Sequence, residues 1–250
     1  MKKLIAFDLD GTLALSKQPL DDRMANALAD LLDVCKVDII SGGDWPQFEK
    51  QVVGRMIDRA NLSNLFIQPT TGTKLYRFID GEWKAIYAEL FSADERKHII
   101  DAFDKAMAEE GLDQGKTWGD RVEDRGSQVT FSALGQQAPL EEKDKWDPDH
   151  AKRKKLQARL RTMLPDLSIN IGGSTSIDVT RKGVDKQYGL RKLLPEAGVT
   201  ADEVLFLGDA IFPGGNDYPA KEMGLDTIKV DSIEDTRRVI ETIVLVLKGK

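Results

Sequence analysis

From Lys3 to Gln68 the chain alternates short apolar runs with amphipathic stretches, and this alternation limits its fold more than any other feature. Lys3–Leu9, Val37–Ser41 and Leu65–Gln68 read as buried strands. Between them, Asp21–Val34 carries Met24, Leu28, Leu31 and Leu32 at helical spacing behind an Asp21 or Asp22 cap. Gln47–Ala60 likewise carries Phe48, Val52, Met56 and Ile57 on one face. A β-α-β-α-β order predicts a parallel sheet with helices on its faces.

The middle of the chain has a different rhythm. Gly72–Phe78 and Trp83–Glu89 read as a hairpin around Asp80-Gly81. A helix over Ala93–Glu110 follows a capping box of Ser92 and Glu95 and ends at Gly111. Arg121–Glu123 with Gln128–Leu134, and Leu167–Ile171 with Ser176–Arg181 turning at Gly172-Gly173, suggest two more hairpins. A helix over Asp147–Leu164, with Pro148 in its first turn, lies between them. After Gly183 the parallel pattern returns, with a helix over Asp185–Leu194, strands over Glu203–Leu207 and Thr227–Val230, and a last helix from about Ser232. The expected fold class is α/β: a Rossmann-like parallel core over 1–81 and 184–250, with an α+β insert over 82–183.

Bulk composition removes several classes of function. A net charge of −6 argues against a general nucleic-acid or bilayer-surface binder. No apolar stretch is long enough to span a membrane, and Asp8 and Asp10 interrupt the signal-like start, so the expected compartment is the cytoplasm. The single cysteine, Cys35, lies in an apolar segment and forms neither a disulfide framework nor a zinc site. His98 and His150 lie in charged helical stretches, which disfavours a histidine triad. Gly115-Lys116-Thr117 lacks the upstream glycine of a P-loop. The basic run Lys152-Arg153-Lys154-Lys155 reads as a solvated helix face, and Trp118 and Trp146 as core of the insert.

Four places at strand ends or helix starts of the parallel part carry chemistry. They are Asp8-Leu9-Asp10-Gly11-Thr12, Ser41-Gly42-Gly43-Asp44, Lys186 after Gly183-Val184-Asp185, and Gly208-Asp209 followed by Asn216-Asp217. In parallel sheets ligands bind at the carboxyl ends of strands. Asp8, Asp10 and Asp209 offer the hard oxygen ligands that Mg2+ prefers. Asp8 would attack phosphorus to give an aspartyl-phosphate, and Asp10 would protonate the leaving oxygen and then activate the acceptor. Ser41, the amide of Gly42 and Lys186 would hold the phosphoryl oxygens, while Asn216 and Asp217 orient Lys186 or the metal shell.

These four segments, in this order, resemble the four motifs of the haloacid dehalogenase (HAD) superfamily. The insert resembles that superfamily's larger α/β cap, as in Cof-like phosphatases, sucrose-phosphate phosphatase and eukaryotic phosphomannomutase. Gly172-Gly173-Ser174-Thr175-Ser176-Ile177-Asp178-Val179, Gly183-Val184-Asp185-Lys186-Gln187-Tyr188 and Pro213-Gly214-Gly215-Asn216-Asp217 look closest to phosphomannomutase. That resemblance implies that Ser176, Asp178 and Arg125 contact a sugar phosphate. It also implies a monomer or a dimer formed through the cap.

The cap departs from the mutase pattern. A strand ending Ile-Gly-Arg in the mutase ends here in Leu134-Gly135-Gln136, and a basic position upstream is Trp118. A mutase must grip a second phosphate, and losing bidentate arginine contacts weakens that grip. The expected activity is therefore a Mg2+-dependent sugar-phosphate phosphatase. A phosphomannomutase-like mutase is the alternative, and a catalytically silent ligand sensor is disfavoured by the intact Asp8, Asp10, Lys186 and Asp209.

Overall fold

The computed structural model describes residues 1–172 and 175–249 and divides the chain into two compact units, Met1–Ala88 with Asp185–Lys250, and Glu89–Val184. The first unit is built on strands β1 (Leu4–Asp8), β2 (Lys36–Ile40), β3 (Leu65–Gln68), β4 (Lys74–Ile79) and β5 (Glu82–Ala88). In the second unit lie β6 (Val122–Asp124), β7 (Val129–Ser132), β8 (Leu167–Ile171) and β9 (Ser176–Arg181). The chain then returns to the first with β10 (Val204–Gly208) and β11 (Asp226–Lys229).

The first unit's sheet runs β11-β10-β1-β2-β3-β4-β5. The pairs from β11 to β3 are parallel; β4 and β5 are added antiparallel. Buried strand residues alternate between two cores, as a two-residue period demands. Ile5, Phe7, Val37 and Ile39 pack toward helices α1 (Asp22–Leu32) and α8 (Ile233–Lys248). Leu4, Ala6, Ile40 and Phe206 pack toward α6 (Lys186–Ala197) and α7 (Tyr218–Glu222). The expected division near Gly81 falls in the turn of the β4–β5 hairpin, whereas the units part after Ala88 and after Val184. Both hairpin strands remain with the first sheet because β4 continues its hydrogen-bond ladder from β3.

Two helices differ from expectation. Helix α2 covers only Trp45–Gln51, followed by a 3-10 turn over Val53–Arg55, instead of running to Ala60. Two β-branched residues and Gly54 lower helix propensity at that point, and Val52 already sits at φ −117°. In the insert, α4 (Leu140–Trp146) was not foreseen, and α5 (Ala151–Met163) begins after Pro148 rather than around it. His150 takes a left-handed φ of 63°, and the Asp147 carboxylate instead accepts from the N–H groups of Lys152 and Arg153.

The second unit is a four-stranded antiparallel sheet, β6-β7-β9-β8, with α3 (Ala93–Glu109) and α5 on one face. Phe103, Phe131, Val129, Leu156, Leu160, Ile177 and Val179 fill the space between. The alternate positions, Thr130 and Ser132 on β7 and Ser176, Asp178 and Thr180 on β9, line the opposite face. Arg153 corrects the expectation of a solvated basic face: it is 1% exposed and donates from Nε to Asp147 Oδ2 at 2.8 Å. The turn expected at Gly172-Gly173 lies partly outside the described residues. Among the described residues no helix is long and apolar enough to cross a membrane.

Candidate active site

Strand order creates the site. The chain steps from β1 to β2 and β3 on one side, then later to β10 and β11 on the other, so the crossovers part at the carboxyl ends of β1 and β10. Such a switch point is where open parallel sheets bind ligands. Register fixes who meets there. Asp8 pairs with Ile40, so Ser41 comes one residue beyond it; Phe7 pairs with Leu207, so Asp209 stands just past the end of β10.

Lys186, the first residue of α6 behind its Asp185 cap, reaches this point. Its Nζ lies 2.5 Å from Asp8 Oδ1 and also pairs with Asp217 Oδ1, and all three side chains are buried. Asp217 Oδ2 accepts from the N–H of Ala210 at 2.9 Å. One carboxylate oxygen from each of Asp8, Asp209 and Asp217 lies within 4.8 Å of the others. Two glycines make room for these groups. A Cβ on Gly11 (φ 90°) would stand 2.5 Å from Asp209 Oδ2, and one on Gly208 would stand 2.3 Å from Asp217 Oδ2.

Three carboxylates around one ammonium leave a local excess of negative charge. Burial, opposed by Lys186 and reinforced by Asp217 and Asp209, pushes the Asp8 carboxyl up to about 7. Asp209 is raised for the same reasons, burial first and then Asp217. Burial alone would lower Lys186, but the charges of Asp8 and Asp217 hold it above the ordinary lysine value. This all-oxygen donor set, short of positive charge, fits a hard divalent cation.

The Asp10 carboxylate is turned elsewhere. Oδ1 accepts from the backbone N–H of Lys17 at 2.7 Å, and Oδ2 from Gln47 Nε2 at 3.3 Å. Gln51, one helical turn after Gln47 on α2, brings its amide within 3.5 Å of Oδ1 and donates to Gln18 O at 2.6 Å. Of the expected metal residues, Asp8 and Asp209 bring their carboxylates together with that of Asp217, while the Asp10 side chain is held by Lys17 and Gln47. Asn216 is exposed, and Asp217 alone of that pair contacts Lys186.

Ser41 is buried, and its Oγ accepts from the N–H of Gly43 at 3.3 Å. Its loop is braced from the β3–β4 connection, where Thr71 N donates to Ser41 O at 2.9 Å and Thr70 N to Gly43 O at 2.8 Å. Thr70 and Thr71 both adopt left-handed φ, 49° and 59°, which is uncommon for threonine. Asp44 caps α2 and pairs with the buried Lys74 at 2.6 Å. Sequence reasoning passed over Lys17, Gln47, Gln51 and Lys74. The pair of glutamines four residues apart on a helix that follows Ser41-Gly42-Gly43 was the available signal.

A cavity of about 780 Å3 opens beside Gly11 and Asp209, bounded by Leu13, Pro19, Ile233 and Arg237. In the second unit, Arg125 is largely buried and pairs with Glu123 at 2.8 Å, while Asp178 Oδ1 accepts from Thr130 Oγ1 at 2.7 Å and Ser176 is half-buried.

Solved structures share this fold. A haloacid dehalogenase-like hydrolase from Bacteroides thetaiotaomicron aligns with a TM-score of 0.64 at 16% identity, covering 97% of this chain and 100% of that one. ATP-bound IMP-nucleotidase from Plasmodium falciparum aligns with a TM-score of 0.74 at 14% identity, covering 97% of this chain and 60% of that one. The fold is that of the HAD superfamily. The sequence profile of eukaryotic phosphomannomutase matches residues 24–246, and the chain belongs to that family of HAD enzymes. It is 26% identical over 246 residues to the phosphomannomutase of Encephalitozoon cuniculi, covering 96% of this chain and 93% of the relative. It is 28% identical over 249 residues to that of Saccharomyces cerevisiae, covering 95% and 92%.

Proposed function

We propose that the protein transfers the phosphoryl group of a sugar phosphate to water through an aspartyl-phosphate on Asp8. The buried ammonium of Lys186 between Asp8 and Asp217, at the switch point of the sheet, carries this reading. Asp8 Oδ forms a bond to phosphorus as the ester P–O bond breaks, and Asp10 gives its proton to the leaving sugar oxygen. Asp10 then takes a proton from water as the hydroxyl attacks phosphorus, releasing phosphate and restoring Asp8. Lys186, Ser41 and the N–H of Gly42 hold the phosphoryl oxygens. Asp8 and Asp209, with Asp217 close by, would hold Mg2+, which supplies positive charge to the transferring group. The carboxylate of Asp10, held by Lys17 and the α2 glutamines, is left to move protons.

Arg125, Ser176 and Asp178 are the candidates for the sugar portion. Each of the seven arginines of the second unit is engaged within that unit. Arg96 pairs with Asp124, Arg125 with Glu123, Arg153 with Asp147, Arg159 with Glu109 and Arg181 with Glu95. Arg121 and Arg161 bind backbone carbonyls. Together with Gln136, this favours a substrate with one phosphate. The second reading is a hexose-phosphate mutase, in which a sugar hydroxyl replaces water; membership of the phosphomannomutase family favours it.

The test is a 31P NMR time course with Mg2+ and mannose 1-phosphate or glucose 1-phosphate, with and without a hexose bisphosphate, and Asp8→Asn as blank. Inorganic phosphate as the main product supports the phosphatase. Bisphosphate-dependent formation of the 6-phosphates supports the mutase. Turnover that survives in Asp8→Asn would overturn both.

A further inference from the structure

Thr130 and Asp178 are register partners on β7 and β9, on the face of the second sheet opposite its apolar core. Gln128 Nε2 lies 2.9 Å from Thr130 Oγ1, and Thr130 Oγ1 lies 2.7 Å from Asp178 Oδ1. The direction of this chain is fixed by chemistry. An amide nitrogen only donates, so the Thr130 oxygen accepts from Gln128, and its single proton goes to Asp178. Gln128 and Thr130 are 1% and 3% exposed, so the two donors are held out of water. At the other oxygen, a Cβ on Gly172 would stand 3.1 Å from Asp178 Oδ2, tight enough that a side chain there would crowd the carboxylate.

We propose that Thr130 is a positioning residue for sugar recognition. Oriented by Gln128, it donates to Oδ1 of Asp178 and so fixes the plane in which that carboxylate accepts a sugar hydroxyl. The inference rests on the reading of Asp178 as a sugar contact and adds to it the residues that aim Asp178. Without the Thr130 hydroxyl, the carboxylate loses a charge-assisted donor and the Gln128 amide loses its contact with Thr130 Oγ1. Recognition of the sugar would weaken while the chemistry at Asp8 is untouched. The effect therefore belongs in KM and in selectivity rather than in kcat.

The experiment compares hexose 1-phosphates with p-nitrophenyl phosphate, which has no sugar hydroxyl, in the full-length protein with Mg2+. Asp178→Ala establishes whether the carboxylate matters at all. Thr130→Val removes the hydroxyl at nearly constant volume, and Thr130→Ser restores it. In Thr130→Val, KM for the hexose phosphate should rise about tenfold with kcat within twofold, so the kcat/KM ratio over p-nitrophenyl phosphate falls about tenfold; Thr130→Ser should recover most of that ratio. Should Thr130→Val not fold, Gln128→Met removes the orienting donor and should lower the same ratio about threefold. An effect of Asp178→Ala with none from either Thr130→Val or Gln128→Met would overturn the inference and leave sugar contact standing. No effect of Asp178→Ala, or no turnover of hexose phosphates alongside turnover of p-nitrophenyl phosphate, would overturn the sugar reading and the inference with it.

Discussion

A β-carbon on Gly72 would stand 2.3 Å from the α-carbon of Gly189. The two glycines let the β3–β4 connection and the first turns of α6 touch backbone to backbone, and α6 is the helix that delivers Lys186. Gly189 in turn accepts from Gln68 Nε2 at 2.9 Å through its carbonyl. Gly72 also holds φ 82°, which alanine tolerates poorly. Gly72→Ala should therefore cost about 2–3 kcal/mol, read as a lower denaturation midpoint. It should also lower kcat by displacing Lys186; unchanged kcat in the folded variant would sever the link between this contact and the site.

Asp38 lies in the middle of β2 between Ala6 and Phe66, fully buried, and neither carboxylate oxygen has a hydrogen-bond partner among the described residues. Burial raises its carboxyl well above the ordinary value, so the fold holds its proton more tightly than the unfolded chain does. The unfolded chain releases that proton from about pH 4 upward. Stability from this group is thus complete below that pH and is lost as pH rises toward the folded value. Asp38→Val should stabilise the protein by about 2 kcal/mol at pH 8 and by less at pH 4, as seen in paired urea titrations.

Arg153 and Asp147 should behave in the opposite sense. Burial by itself would raise Asp147, but the guanidinium of Arg153 and the N–H groups of Lys152 and Arg153 hold it below the ordinary carboxylate value. Its stabilisation is present above the unfolded value and disappears as pH falls through the folded one. Arg153→Met should strand a buried carboxylate and cost about 3–5 kcal/mol, mostly by loosening the second unit. The double variant with Asp147→Leu should regain most of the loss. Hydrogen exchange, read separately over 89–184 and over the rest, would locate the effect.

Metal affinity should depend on the proton at Asp8. With that carboxyl pushed up to about 7, Mg2+ competes with a proton. Titration calorimetry should show binding that tightens between pH 6 and pH 8, by up to about tenfold per unit below the transition. Asp209→Ala should abolish the binding. Affinity flat across this range would remove Asp8 from the ligand set.

The sequence revealed the parallel core because buried strands and amphipathic helices follow different periods, and each recurs cleanly in both halves of that unit. Asp8, Ser41, Lys186 and Asp209 were legible as strand-end or helix-start residues, since topology turns those positions toward one edge. Their mutual distances were not, because they depend on glycine notches such as Gly11 and Gly208 and on a close approach between Gly72 and Gly189. The orientation of Asp10 was hidden for a related reason: its partners Gln47 and Gln51 are ordinary helix residues until α2 is packed. Arg153 was misread because a basic run carries no mark of which member turns inward, and Asp147 lies six residues away across a helix start.

The nucleophile is on the first strand, yet β10, which flanks that strand, and Lys186, which pairs with Asp8, both lie beyond the whole insert in sequence. During synthesis the insert emerges as one uninterrupted stretch with its own core, while the parallel unit waits for its second half. A nascent or truncated chain would thus display Asp8 without the ammonium that neutralises it. A working centre therefore waits for the segment beyond the insert, which brings Lys186 and β10 to Asp8.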